Sequence, residues 1–422
     1  MKRWEPQYGS GLPRRDRQGC EYEAYVPDRL GGRQFLLQGE VAADVTDAEA
    51  AIHELTMEVR ALVDSEAIAR LLLRAEAVAS SKIEGLEVGG RRLLQAEVSR
   101  SLGDDVTDVT AEEVLGNIAV MAWAIELSES PDPISTDHLL EIHRRLLTGT
   151  RLEREGGRIR TSQNWIGGSS YNPCGAEFVP PPPELVEPLL DDLCAFCNGD
   201  DLPAVAQAAI AHAQFETIHP FVDGNGRTGR ALIHIILHRR NLASRVLPPV
   251  SLVLATWSDD YVAALNGTRY LGDPNSLAAV DAINRWIGLF AAACRRAVED
   301  ARTYERTIDD LKRQWRSRLG RVRSGSAAEL LLEALPGSPV LTVGAAAALI
   351  ERSFQATNEA VAHLVQAEVL RPIKVGRRNR AFEAPDVIEA FNELERRLAS
   401  PTGDTRTAPP SRRVPARRGN RR

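Results

Sequence analysis

Residues 216–230 read E-T-I-H-P-F-V-D-G-N-G-R-T-G-R, and the rest of the chain is organised around them. Helical, apolar sequence flanks this stretch, with A-V-A-Q-A-A-I-A-H-A-Q-F before it and A-L-I-H-I-I-L-H after it. Pro220 and the run D-G-N-G cannot lie inside a helix, so the stretch is predicted to be a loop between two helices. Such a glycine-rich loop is a good anion site, because unpaired N–H groups and the dipole of the following helix point at the ligand.

The side chains of this loop are of the types that nucleotide chemistry needs. His219 is a candidate general base, because an imidazole titrates near neutral pH. Asp223 offers an oxygen ligand of the kind that a hard cation such as Mg²⁺ prefers. Arg227 and Arg230 are three residues apart, so both can face one site from the first turn of the helix. The loop is therefore predicted to bind the phosphates of a nucleotide beside a base.

Length and composition bound the class of protein. A chain of 422 residues predicts two or three domains with ample sequence for a hydrophobic core. The net charge of −6 argues against nucleic-acid binding by the chain as a whole. The charge is uneven, because residues 400–422 carry seven arginines against one acid. This Pro- and Arg-rich tail is predicted to be disordered.

Targeting and cysteine signals are weak. The N-terminus has no apolar signal region, and no apolar run looks long enough to span a bilayer, which predicts a cytoplasmic protein without a membrane partner.

The five cysteines are too few and too scattered for a disulfide scaffold. Cys194 and Cys197 form a C-x-x-C, but they lie in one predicted amphipathic helix and have no second pair. We therefore interpret them as small, half-buried residues.

The pattern along the chain predicts a mainly α fold in two units with a tail. Helical periodicity dominates an N-terminal region, residues 1–110, and a core, residues 111–318. Short β-branched and aromatic runs between Gly156 and Phe178 surround a turn and predict one β-hairpin. After the glycines at 320–325, residues 325–399 read as three helices followed by a basic hairpin, the pattern of a winged helix-turn-helix.

The string H-P-F-x-D-G-N-G-R-x-x-R resembles the signature of the Fic family, H-x-F-x-(D/E)-G-N-G-R-x-x-R, with every position filled. The resemblance covers roughly residues 20–300. It implies a Fic-type helical core that transfers AMP from ATP, with Mg²⁺, to a Ser, Thr or Tyr hydroxyl of a target protein. His219 would be the base and Asp223 the metal ligand. The residues that would bind the nucleotide are Gly224, Asn225, Gly226, Arg227, Thr228, Gly229 and Arg230.

A second motif, Ser80-Ser81-Lys82-Ile83-Glu84-Gly85, resembles the family's inhibitory-helix motif (S/T)-x-x-x-E-(G/N). Ser80 and Glu84 are four residues apart and share one helix face. The resemblance implies that Glu84 pairs with Arg230 and misaligns ATP for attack. Since the motif precedes the core, the chain resembles the class with an N-terminal, intramolecular inhibitory helix, in which Ser80, Glu84 and Gly85 are inhibitory.

Two further features follow from the resemblance. The hairpin at 157–178 matches the family's flap, which aligns an extended target segment by strand addition. Tyr261, in W-S-D-D-Y-V-A-A-L, is a candidate for stacking on adenine, although a tyrosine in the core of a helix fits the same pattern.

Other functions remain open. The same motif is compatible with UMP, phosphate or phosphocholine transfer, and with removal of AMP by a water that Glu84 orients. A different class is a DNA-binding regulator, in which the wing residues Lys374, Arg377, Arg378 and Arg380 would meet phosphates. Against it, the third helix of the C-terminal unit carries Glu359 and Glu368, and the unit could equally dock a protein. The sequence names neither the target nor the oligomeric state, and a homodimer is one of the alternatives.

Overall fold

The computed structural model describes residues 2–5, 11–61, 65–103, 106, 108–244, 246–375 and 379–399. These residues are mainly helical, as predicted. The helices are α1 (Arg14–Arg17), α2 (Gly39–Ala61), α3 (Ser65–Ile83), α4 (Gly90–Ser101), α5 (Val109–Ser128), α6 (Thr136–Leu147), α7 (Val186–Cys197), α8 (Ala204–Ile218), α9 (Asn225–Arg239), α10 (Val250–Thr256), α11 (Ser258–Gly267), α12 (Leu277–Leu319), α13 (Ala327–Ala334), α14 (Val343–Leu349), α15 (Phe354–Gln366) and α16 (Pro385–Ala399). The strands are β1 (Lys2–Trp4), β2 (Cys20–Tyr22), β3 (Val340–Leu341), β4 (Arg371–Val375) and β5 (Asn379–Glu383).

Helices α8 and α9, which flank the loop at 219–224, form the centre of the fold. Every residue of α8 except Glu216 is buried, and so is every residue of α9 except Arg239. A helix that is buried on all sides needs neighbours all round, and α5, α7 and α12 pack against this pair. The many alanines of α8 keep the side chains short and let these neighbours approach closely. The loop is therefore anchored at both ends in a rigid core.

Helix α3 carries the predicted inhibitory motif and packs against α5, α9 and α10. Its apolar residues Ala75, Val78 and Ala79 join a cluster with α5, and Leu72 joins the main core around α8 and α9. The helix ends at Ile83, so the last turn lies over the start of α9. Packing on several sides thus fixes the end of α3 near the loop.

Residues between Gly156 and Phe178 do not form the regular β-hairpin that the sequence predicted. The described residues contain a single bridge there, between Ile166 and Phe178. Ile166 donates to the Phe178 carbonyl at 2.8 Å and accepts from the Glu177 N–H at 2.9 Å. Glycines at 167 and 168 have φ of 78° and 73°, a left-handed conformation that breaks a strand. We call residues 164–178 the flap segment.

The N-terminal segment lies against the flap segment. Cys20 and Cys174 are joined by a disulfide across 154 residues, a separation that gave no signal in the sequence. The rings of Trp4 and Trp165 meet edge to face at 5.2 Å. The other three cysteines, Cys194, Cys197 and Cys294, are free and buried, in agreement with a structural role for the C-x-x-C.

The C-terminal unit consists of α13 to α16 and a three-stranded antiparallel sheet in the order β3-β5-β4. Its core joins the end of α12, through Trp315 and Leu319, to α13 and α15. The unit also packs on α4, where Arg91 donates to the buried carboxylate of Glu383 at 3.2 Å. The predicted wing tip, with Arg377 and Arg378, and the Arg-rich tail at 400–422 lie outside the described residues.

Helix α12 is long and apolar enough, by length and composition alone, to cross a membrane. The prediction that no segment meets that criterion was therefore wrong. In the fold, 72% of the apolar window is buried. A core helix passes the same test, so the finding is weak support for a membrane span.

Candidate active site

The loop between α8 and α9 begins and ends with residues in the left-handed conformation. His219 has φ 49° and ψ 60° and terminates α8, and Gly224 has φ 77° and precedes α9. Left-handed backbone is strained for residues other than glycine, so the His219 conformation needs support from its surroundings. The two reversals turn the chain so that the imidazole and the N-terminus of α9 border the same site.

Two side chains brace the loop from within. The Asn225 amide donates to the Phe221 carbonyl at 2.9 Å and accepts from the Phe221 N–H at 2.8 Å. His143 stacks on the Phe221 ring at 3.7 Å, and its Nε2 lies 3.0 Å from the Asp223 carbonyl. Because His143 Nδ1 accepts from the Gly157 N–H, Nε2 carries the proton and donates. Asn225 thus holds the loop backbone through its amide oxygen and one amide N–H, and its predicted contact with the nucleotide stays a prediction.

The imidazole of His219 is held in its neutral form. The pKa of His219 is lowered to about 4, mainly by burial and also by Arg160 and Arg269, against the opposite effect of Glu84 and the Glu216 backbone. The ring keeps 19% of its surface exposed, so it remains reachable from the site. A neutral, reachable imidazole can accept a proton, as a general base must.

The start of α9 presents unsatisfied donors. Arg227 is 3% exposed, and its Nε and Nη1 have no hydrogen-bond partner among the described residues. Its Nη2 lies 3.8 Å from the Asp223 carboxylate, too far for a hydrogen bond. The first N–H groups of the helix also lack intrahelical partners. Buried donors without an acceptor, at a positive helix end, fit an anionic ligand.

Arg230, one turn further along α9, is occupied by the end of α3. Its Nη2 donates to Glu84 Oε1 at 2.7 Å and to the Ser80 carbonyl at 2.8 Å, and its Nε donates to Ser80 Oγ at 2.9 Å. Burial alone would raise the pKa of Glu84, but the charge and hydrogen bond of Arg230 lower it below its usual value. A Cβ at Gly226 would collide with the Glu84 carboxylate, so glycine there leaves the space that Glu84 fills.

Asp223 is the candidate metal ligand, and its surroundings fit that role. Its side chain is half exposed, and Oδ1 accepts from the Gly224 N–H at 2.8 Å. The described residues contain no cluster of three or more His, Cys, Asp and Glu side chains that would hold a metal by themselves. A lone carboxylate beside a phosphate site suits Mg²⁺, which takes one or two protein carboxylates and completes its shell with phosphate and water.

Three predicted nucleotide contacts lie deeper than expected. Tyr261 is 3% exposed, its hydroxyl lies 2.8 Å from His212 Nε2, and its ring packs beside Trp286 at 5.8 Å. This corrects the stacking interpretation, because a ring enclosed in the core offers no free face to adenine. Thr228 is fully buried within α9. Gly229 also faces inward, where a Cβ would lie 2.9 Å from Glu216 Oε1.

The sequence did not single out Glu216, which is the one residue of α8 that is only partly buried. Its side chain is 12% exposed and lies 4.0 Å from His219 Nδ1. Burial raises the pKa of Glu216 to about 7, helped by Glu84 and opposed by Arg230 and Arg269. The only signal available was a carboxylate three residues before the loop histidine.

Glu216→Gln is expected to change how stability depends on pH. Because the pKa of Glu216 is raised in the folded state, the protonated form favours folding, and that stability is lost as pH rises from 4.5 to about 7. Glutamine mimics the protonated acid, so its advantage in free energy of unfolding should grow over this window by up to about 3 kcal/mol. Urea denaturation at several pH values measures this difference in the free energy of unfolding, with the exposed Glu187→Gln as control. If the free energies of Glu216→Gln and wild type change with pH in the same way, the raised pKa of Glu216 is contradicted.

Arg160 and Asn164 also escaped the sequence-based predictions. Both donate to the His219 carbonyl, Arg160 Nε at 2.8 Å and Asn164 Nδ2 at 3.3 Å. Nothing in a single sequence distinguishes them from surface polar residues near a turn.

Comparison with known proteins agrees with this geometry. Residues 133–237 match the model of the Fic/DOC family, and residues 42–126 match that of the Fic/DOC family N-terminal region. Protein adenylyltransferase fic-1 of Caenorhabditis elegans is 37% identical over 166 residues, which cover 38% of this chain and 29% of the relative. Protein adenylyltransferase Fic of Nematostella vectensis is 33% identical over 162 residues, which cover 37% of this chain and 34% of the relative.

Among solved structures, a Fic family protein from Desulfovibrio desulfuricans G20 superposes with a TM-score of 0.50 at 21% identity, covering 83% of this chain and 97% of that chain. This likeness concerns the fold alone. The loop at 219–224 lies within the matched region, residues 133–237. Two parts of the chain, residues 42–126 and 133–237, thus match Fic/DOC family models, and the chain spans about a third or less of the length of the curated relatives that it matches.

Proposed function

We propose that this protein is an autoinhibited protein adenylyltransferase, which transfers AMP from ATP to a Ser, Thr or Tyr hydroxyl of a target protein and releases pyrophosphate. The observation that carries the proposal is the loop itself, in which a neutral His219 stands beside the unsatisfied donors of Arg227 and the start of α9. Both relatives described above are named protein adenylyltransferases, which supports the same reaction.

His219 would act as the general base. A target hydroxyl loses its proton as its oxygen attacks the α-phosphorus, and the bond from that phosphorus to the pyrophosphate oxygen breaks. An imidazole that stays neutral above about pH 4 is free to take the proton at neutral pH. Its partial exposure leaves room for the hydroxyl.

Arg227 and the first N–H groups of α9 would hold the nucleotide phosphates. Donors that are buried and already in place need no reorganisation when negative charge develops in the transition state. Asn225 would contribute indirectly, because its two hydrogen bonds to Phe221 set the shape of the loop. Asp223 would hold Mg²⁺, which when bound neutralises phosphate charge.

Glu84 would inhibit the enzyme by occupying Arg230. With its guanidinium donating to Glu84 and Ser80, Arg230 has fewer donors left for a terminal phosphate. The Glu84 carboxylate above Gly226 also places negative charge beside the space where phosphates would lie. ATP would then bind out of line for attack, and release of the end of α3 would restore alignment.

The flap segment would align the target. Ile166 is 37% exposed and lies at the one bridge of this segment. Its own N–H and carbonyl pair with residues 177 and 178, so an extended peptide would add its backbone at the residues beside it. This arrangement would select a flexible, extended stretch of the target rather than a residue within a helix.

The test is transfer of labelled nucleotide. The full chain carrying Glu84→Gly would be incubated with Mg²⁺ and, in separate reactions, ATP labelled in the α-phosphate, ATP labelled in the γ-phosphate, UTP and CDP-choline. Label from the α-phosphate of ATP should become covalently attached to protein, and mass spectrometry should locate AMP on hydroxyl side chains. Attachment from another donor, or loss of AMP from a pre-modified protein, would replace the proposed reaction by that one.

A second candidate concerns the C-terminal unit, whose three helices and β3-β5-β4 sheet support a winged-helix form. In a DNA-binding winged helix, α15 would enter the groove. The exposed face of α15 instead carries no lysine or arginine; its residues are Phe354, Gln355, Asn358, Glu359, Ala362, His363 and Gln366. We therefore propose protein docking as the accessory role, and a salt-dependent shift of duplex DNA by the full chain would favour DNA instead.

A further inference from the structure

Arg160 lies just before the flap segment, and its side chain reaches under the active-site loop. The residue is 3% exposed. Its guanidinium donates to four backbone carbonyls, those of His219 at 2.8 Å, Pro181 at 2.5 Å, Ser162 at 3.3 Å and Ile218 at 3.3 Å. Its own N–H donates to the Pro220 carbonyl at 3.0 Å. Three consecutive carbonyls around the loop histidine are thus held by one residue.

The backbone that Arg160 holds is a strained one. His219 has φ 49°, and a residue that precedes proline is restricted further by the proline ring. Such a conformation costs on the order of 1–3 kcal/mol and persists only where the surroundings enforce it. On the other side, the His219 N–H donates to the Phe215 carbonyl at 2.9 Å. Arg160 therefore supplies the support on the carbonyl side, where α8 has already ended.

All the hydrogen-bond acceptors of Arg160 are neutral. Burial lowers the pKa of Arg160 to about 10, with Glu184 acting in the opposite direction, so the guanidinium still carries its charge at neutral pH. A buried cation without a carboxylate among its hydrogen-bond partners is costly unless every donor is used well. The planar fork of arginine meets that need, whereas the single ammonium of lysine could not reach carbonyls in several directions.

We propose that Arg160 is a positioning residue for His219, which fixes the left-handed backbone that aims the imidazole at the acceptor hydroxyl. The inference rests on the proposed role of His219 as the base. Asn164 assists from the flap segment, where its Nδ2 donates to the Phe221 carbonyl at 3.1 Å as well as to that of His219. The flap segment and the base are thereby held in register by the same short piece of chain.

The charge of Arg160 provides a readout that a purely structural role would not give. The charged groups that act on the His219 ring are Glu84, which raises its pKa, and Arg160 and Arg269, which lower it. Glu216 faces the ring at 4.0 Å, and its backbone also raises the pKa. Removal of the Arg160 charge should raise the pKa of His219, although by less than burial lowers it, whereas a lysine at this position should not raise it.

The experiment compares Arg160→Lys, Arg160→Gln and Asn164→Ala in the full chain carrying Glu84→Gly. Arg240→Gln is the matched control, because Arg240 also donates to a backbone carbonyl, that of Leu202 at 3.0 Å, but at the far end of α9. Steady-state kinetics give kcat and the KM for ATP. NMR of histidine-labelled protein, with His219 assigned by its alanine variant, reports the backbone and titration of His219 without any turnover.

Arg160→Lys should lower kcat by about 10- to 100-fold with little change in the KM for ATP, because a displacement of about 1 Å costs that much. Its His219 backbone resonance should shift, while Arg160→Gln should also raise the titration midpoint. Asn164→Ala should also lower kcat, but by less than Arg160→Lys. This variant tests the positioning role if neither Arg160 variant folds. Unchanged His219 resonances, or unchanged kcat in an active parent, would overturn the proposal. An inactive parent with the NMR shifts present would instead refute the proposed reaction while upholding the positioning.

Discussion

His219→Ala is expected to abolish AMP transfer, with a fall in kcat on the order of 100- to 10,000-fold. The background is Glu84→Gly, so that the starting activity is high enough for the loss to be measured. Alanine removes the proton acceptor but no buried hydrogen bond of the ring, since Nδ1 has no partner among the described residues. Binding of ATP, measured by calorimetry, should persist because Arg227 and the start of α9 are untouched.

The control for this prediction is His53→Ala, which removes an exposed histidine on α2 far along the chain from the loop. Activity in the parent enzyme should also keep its plateau as pH falls to about 4, because burial keeps His219 neutral and the parent lacks Glu84, which raises the pKa of His219. Transfer that survives in His219→Ala would rule out the base assignment. A thermal unfolding curve that moves strongly in this variant alone would show that the ring is structural.

Glu84→Gly is expected to raise AMP transfer, by at least about 10-fold, in the otherwise unchanged chain. The substitution frees Arg230 and removes the carboxylate that lies over Gly226. Truncating one partner of a fully buried, hydrogen-bonded charge pair typically changes binding by about 2–5 kcal/mol, and the effect here should be smaller because the Glu84 side chain is 31% exposed. Each 1.4 kcal/mol corresponds to about a tenfold change in an equilibrium constant. If only part of this free energy stabilises correctly aligned ATP, the rise in the rate of transfer is measurable. The measurement is incorporation of labelled AMP with time.

Two variants separate the causes of that activation. Glu84→Gln keeps the length of the side chain and an acceptor for Arg230 but removes the charge, so it should give an intermediate rate. Glu87→Gly introduces the same flexible residue just beyond α3 at an exposed position and should leave the rate unchanged. No rise in Glu84→Gly would sink the inhibitory role, and an equal rise in Glu87→Gly would assign the effect to loosening of the chain.

The local features of the site could be read from the sequence because they depend on neighbours along the chain. Pro220 and Gly224 interrupt the helical pattern, so the loop between α8 and α9 was predictable, although α9 begins at Asn225, within the run D-G-N-G. The four-residue spacing of Ser80 and Glu84 placed both on one face of α3, and the structure puts both against Arg230. That long-range pairing came from the family resemblance, since spacing alone could not choose its partner.

The features that the sequence predicted wrongly or missed depend on contacts between segments that are far apart in the chain. Tyr261 fitted both a stacking residue and a core residue, and only its enclosure by His212 and Trp286 chose the core. The flap segment had strand-like composition, but left-handed glycines and its contacts with the N-terminal segment reduced the hairpin to one bridge. The disulfide between Cys20 and Cys174 joins positions that no sequence pattern relates.

By itself, the sequence determined the helical class, the loop at 219–224 and the types of side chain that the loop offers. The tertiary structure decided which of these side chains face the site. Asn225 turned inward to hold Phe221, Arg227 kept its donors unpaired, and Arg160 reached the His219 carbonyl. The physical reason is that periodicity and turn chemistry act over a few residues, whereas burial and hydrogen-bond partners are set by helices that pack from far along the chain.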